Sequence, residues 1–72
     1  MRFWVIVEVD EKTGADISYV WYCTETKVVH TKELDRARKF FTRAGAREYF
    51  ALHRTLLEDT HKVVSINESG AY

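Results

Sequence analysis

The chain has 72 residues, 46% hydrophobic, 31% charged and 14% aromatic, and its 11 basic side chains balance its 11 acidic ones. That length holds one domain, residues 1–72, and excludes a multidomain enzyme, a dinucleotide-binding fold and a solenoid of several repeats. Four Phe, four Tyr and two Trp exclude a disordered chain.

In chain order, residues 2–9 alternate. Phe3, Val5, Val7 and Val9 point one way, and Arg2, Trp4, Ile6 and Glu8 the other. Three Val and an Ile favour a strand. Residues 10–16 form a turn, with Gly14 available for a left-handed position. Residues 17–23, Ile-Ser-Tyr-Val-Trp-Tyr-Cys, give a second strand and an antiparallel hairpin. The register that gathers the most apolar face sets Val9 opposite Ile17, Val7 opposite Tyr19, Val5 opposite Trp21 and Phe3 opposite Cys23. The other face then pairs Trp4 with Tyr22, Ile6 with Val20 and Glu8 with Ser18.

Residues 27–31 extend the second strand or form a short third one. Residues 32–42 stay open between helix and strand. A helix there has Thr31 as its N-cap, with Leu34, Ala37 and Phe41 on one face; a strand occupies 38–42. Residues 43–58 read as the main helix, with Thr42 as cap and an apolar stripe of Ala46, Tyr49, Phe50, His53, Leu56 and Leu57. A single helix over 32–58 would run roughly 40 Å, too long for strands of about 20 Å, so a break is expected at 42–45. Residues 61–67 form a last strand, and the tail 68–72 is expected to be loose. The fold class is therefore α+β: a three- to four-stranded, mostly antiparallel sheet with one main helix packed on one face, in the order β-β-(β or short α)-α-β.

No chemistry stands out. His30, His53, His61 and Cys23 lack the close spacing of a structural zinc site, so neither metal nor cofactor is expected. Cys23 falls in the core row opposite Phe3, where a thiol is inert. No glycine-rich phosphate loop occurs, and the expectation is a protein that is not an enzyme. No apolar run suits a membrane helix, which needs about 18 residues, and no signal peptide is expected. One free cysteine fits a reducing compartment, so the cytoplasm is expected.

Two surfaces remain. If the helix covers the Phe3 face, the opposite face exposes Trp4, Ile6, Val20 and Tyr22, an aromatic and aliphatic row suited to a partner or to a homodimer. The alternative is a second helix, from 32–41, that covers it. The charge is also segregated. Residues 27–54 carry eight basic against three acidic side chains, between acidic ends. Arg36, Arg38, Lys39, Arg43 and Arg47 lie in that block and suit an acidic protein surface or phosphates.

The stretch Phe40-Phe41-Thr42-Arg43-Ala44-Gly45-Ala46-Arg47-Glu48-Tyr49-Phe50 resembles a pattern of short phage and mobile-element proteins. There an aromatic strand end meets Thr-Arg and then Ala-Arg at a helix start. The overall format is similar to that of phage host-takeover and anti-defence proteins. That resemblance implies an inhibitor or adaptor occupying a surface of a host or defence macromolecule, such as a CRISPR effector or RNA polymerase, in the host cell cytoplasm. The same stretch resembles the arm-type DNA-binding domains of tyrosine integrases, which implies the alternative, a small nucleic-acid-binding protein using a basic helix.

Overall fold

Strand β1 (Arg2–Val9) carries apolar side chains at Phe3, Val5, Ile6 and Val7, so both of its faces demand cover. The computed structural model describes residues 2–67 and gives β1 a central place. β2 (Asp16–Cys23), β3 (Val28–Thr31) and β4 (His61–Asn67) complete a four-stranded antiparallel sheet in the order β3-β2-β1-β4. Between β3 and β4 the chain makes a 3-10 turn at Leu34–Arg36, then α1 (Arg43–Leu52) and α2 (Arg54–Leu57). Residues 32–42 are thus neither a full helix nor a full strand. The tail 68–72, expected to be loose, lies outside the described residues.

The β1–β2 hairpin turns on local chemistry. Asp10 accepts at its carboxylate from the Lys12 N–H at 2.8 Å and at its carbonyl from the Gly14 N–H at 2.8 Å. Gly14 takes a φ of +74°, which a Cβ would disfavour. Val7 faces Tyr19 and Glu8 faces Ser18 as expected, but a register irregularity then sets Val9 opposite Asp16, not Ile17.

Toward Phe3 the expected pairing of Val5 with Trp21 and Phe3 with Cys23 gives way to a wedge. Trp4 and Phe40 exchange two backbone hydrogen bonds, of 2.8 and 2.9 Å, and the Arg38 N–H donates to the Val20 carbonyl at 3.0 Å. Residues 38–40 are therefore bonded to both β1 and β2. β2 carries a second irregularity, since Val20 pairs with His30 and Tyr22 with Val29, leaving Trp21 as the extra residue.

Each face has its own core. Phe3, Val5 and Val7 pack with Ala37, Leu34, Tyr19, Val64 and Ile66. Ile6, Val20 and Leu57 pack with Tyr49, Phe50, Phe40 and Val63. The helices thus lie on the Ile6 face, and the strap through Leu34 and Ala37 covers the Phe3 face. This reverses the expected side for the helix. Each buried Ile6, Val20 or Leu57 contributes roughly 1.5–3 kcal/mol of apolar burial. Thr42 caps α1, its hydroxyl accepting from the Gly45 N–H at 3.0 Å. The helical segment is interrupted at His53, whose φ is −112° and whose N–H is shared between the Tyr49 and Phe50 carbonyls at 3.2 Å each. The resulting α1–α2 pair sets Tyr49, Phe50 and Leu57 on one sheet cluster. Among the described residues no helix is long and apolar enough to cross a membrane.

Candidate functional site

The nine residues expected to bind a partner do not form one surface. Ile6 and Val20 are each 1% exposed beneath Leu57, so neither can anchor a partner. The reason is the side taken by α1 and α2. Trp4 shares that face, half-buried, with the Arg43 guanidinium 5.9 Å from its ring. Tyr22 does not lie beside Trp4. Val20, Cys23 and Val28 pack on the helix side, so Tyr22, opposite Val29, turns to the other.

The basic block is divided in the same way. Residues 37–40 are extended and alternate between the faces. Arg38 sits 4.5 Å from the Tyr49 ring centroid and 5.6 Å from that of Phe40, on the helix side. Lys39 turns to the strap side, where its ammonium donates to the carbonyls of Leu34, Asp35 and Ala37 at 2.8, 3.1 and 3.4 Å. Lys39 therefore closes the 3-10 turn that covers Phe3. Arg36 pairs with Glu33 at 2.8 Å, and Arg47 is exposed on α1.

Among the exposed large apolar side chains, Ile17, Trp21, Tyr22, Phe41 and Leu52, the neighbours Trp21 and Tyr22 form an aromatic pair, at 41% and 42% exposed. Their rings meet edge to face, 5.8 Å between centroids and 75° between planes. The Arg36 guanidinium lies 5.8 Å from the Trp21 ring. Alternation along the sequence predicts Trp21 in the core row opposite Val5. The irregularity in β2 is what frees it, and no local pattern marks that irregularity.

The helix side holds a polar cluster at the opposite end of the sheet from Phe40. Glu8 on β1 accepts from the Ser18 hydroxyl on β2 at 3.2 Å. His30 on β3 and His61 on β4 meet Nε2 to Nε2 at 2.8 Å. Glu8 Oε1 stands 3.9 Å from His30 Nε2, and His61 Nδ1 is 2.7 Å from the Thr60 hydroxyl. A cavity of about 290 Å³ adjoins the cluster, lined by Glu8, Ile17, Ser18, His30, Thr31 and Lys32. Burial pushes the His61 pKa down and the His30 ring beside it pushes the same way, against Glu8 and the Leu57 carbonyl. The two histidines are 31 residues apart in sequence, so only the fold reveals them as a pair. His53, by contrast, packs against Tyr49, 4.7 Å between ring centroids.

Among the described residues no three His, Cys, Asp or Glu side chains converge on a point that could hold a metal ion. Cys23 is half-buried on the helix side, not opposite Phe3, and its backbone N–H donates to the Tyr49 hydroxyl at 3.1 Å. Burial raises its thiol pKa, with the Tyr49 hydrogen bond and the Arg38 charge acting in the opposite sense.

No protein family, curated protein or solved structure matches the chain.

Proposed function

We propose that this chain is a non-enzymatic binding protein that docks on a larger protein through Trp21 and Tyr22, with Arg36 at the rim. The carrying observation is the pair of exposed rings set edge to face beneath a guanidinium. Both are large side chains that contribute little to either core, and aromatic residues with Arg are the groups that dominate protein interfaces. The Arg36 charge is balanced by Glu33 at 2.8 Å. The patch is therefore close to neutral, which suits a protein surface better than a polyphosphate backbone. An inhibitor or adaptor acting on a host or defence protein, in the host cell cytoplasm, is the role that the resemblance of residues 40–50 to phage proteins suggests.

The test is a tagged double variant, Trp21→Ala with Tyr22→Ala. It should keep the circular-dichroism spectrum of the wild type. It should also lose the companion protein that co-purifies with the wild type from the native cell. Each ring, as an interface anchor worth about 2 kcal/mol or more, accounts for roughly 30-fold in affinity. A folded double variant that captures the companion as well as the wild type does contradicts the proposal.

A second reading rests on α1. Arg43 over Trp4 and the exposed Arg47 lie one turn apart at its N-terminal end, as a phosphate-binding stripe requires. It predicts binding to labelled DNA or RNA that falls steeply with salt. Removing Arg43 and Arg47 should then flatten the slope by about two phosphate contacts. Absence of any shift at low salt excludes it.

A further inference from the structure

We propose that His30 and His61 form a proton-counting clasp between the two edge strands of the sheet, one that closes over a shared proton and is forced open by a second extra one. The clasp lies on the helix side, away from the Trp21 patch, and does not depend on the docking proposal.

The geometry is that of two rings sharing a hydrogen. The Nε2 atoms are 2.8 Å apart, the centroids 5.1 Å apart and the planes 12° apart. The extra separation of the centroids nearly equals the two ring radii, so the ring tips meet head-on. Lone pairs chelating one metal ion would instead converge on a point off the line between the nitrogens. A contact of 2.8 Å between two ring nitrogens needs one donor and one acceptor. With both rings neutral, one Nε2 carries a hydrogen and the other accepts it. With one extra proton, both Nδ1 atoms are protonated and a single hydrogen still lies between the Nε2 atoms. With two extra protons, both Nε2 atoms carry hydrogens that face each other, and the contact cannot survive.

The surroundings favour the first extra proton over the second. From β1, Glu8 faces the pair, 3.9 Å from His30 Nε2. From β2 there is the Ser18 hydroxyl, bonded to Glu8. From α2 comes the Leu57 carbonyl, from its connection to β4 the Thr60 hydroxyl, at 2.7 Å from His61 Nδ1, and just past β3 Lys32 lines the adjoining cavity with Glu8 and His30. One carboxylate can balance one imidazolium, and these contacts offer no second carboxylate to balance another. Opening would release His30 from His61 across the Ile6–Val20–Leu57 core, because His30 pairs with Val20 and His61 with Glu8.

The test follows the imidazole nitrogens of the full chain by ¹⁵N NMR from about pH 8 to about pH 5, a range that spans the ordinary histidine titration. The wild type should show two coupled macroscopic steps shared by both rings, with loss of amide protection at Val20 and His30 accompanying the lower one. In His61→Gln, where no second imidazolium can form, that loss of protection at Val20 and His30 should not occur. Independent single steps for the two wild-type rings overturn the proposal, whether or not the variant folds. So does one equivalent of added Zn²⁺ that raises Tm and shifts both Nε2 signals, since the pair would then be a chelate.

Discussion

Trp21 and Ile6 show how far a side chain's role depends on which side of the sheet it reaches. Ile6 is closed over by Leu57, so Leu57→Ala opens a cavity against Ile6 and Val20. That substitution should cost about 2–5 kcal/mol and lower the denaturant midpoint clearly. Trp21→Ala removes a half-exposed ring, its contact with Arg36 and its edge-to-face contact with Tyr22, each worth about 0.5–1 kcal/mol at such a site. Its midpoint should move less than that of Leu57→Ala, as denaturant unfolding of the pair of variants will show. His61 sets a pH dependence whose sign follows from its lowered pKa. A histidine held below its ordinary 6.5 in the folded state favours the neutral form there. Its contribution is intact above that value and is lost as pH falls from 6.5 toward the folded pKa. Unfolding free energy should therefore decline over that window in the wild type and decline less in His61→Gln. Cys23, with its thiol pKa raised by burial, should react with iodoacetamide near neutral pH more slowly than a free cysteine does.

Among the elements, those set by neighbouring residues were legible. The alternation of Phe3, Val5, Val7 and Val9 marks β1, and Thr42 before Arg43 marks the start of α1. Thr42→Ala should cost about 1 kcal/mol through loss of its bond from the Gly45 N–H, a change measurable by thermal unfolding. What the sequence could not reveal comes from long-range pairing. The Trp4–Phe40 bridge and the Arg38–Val20 bond displace the hairpin register that Val5–Trp21 and Phe3–Cys23 would have continued. The irregularity at Trp21 turns an aromatic residue out of a row that alternation would bury. Burial on both faces of β1 was visible in Ile6 lying between Val5 and Val7. It reads as one buried and one bare face only if the sheet has a single cover. The strap at Leu34 and Ala37 supplies the second cover with a mere 3-10 turn, held by Lys39, which periodicity does not detect.

At the scale of the molecule, the two covers decide what is left for a partner. The helices close the Trp4–Ile6–Val20 row, the strap closes the Phe3 row, and the basic block is parted between the two sides by the alternation of Arg38 and Lys39. The adjoining rings of Trp21 and Tyr22 remain outside both covers. The sheet end carrying Glu8, His30 and His61 is instead a polar junction whose proton count governs the tie between β3 and β4. Hydrogen exchange of the chain alone and in its captured complex tests the docking face most directly. Protection should appear on binding at residues 20–23 and 34–37, with 43–47 unchanged. Protection gained along 43–47, while 20–23 exchanges as in the free chain, would contradict the assignment.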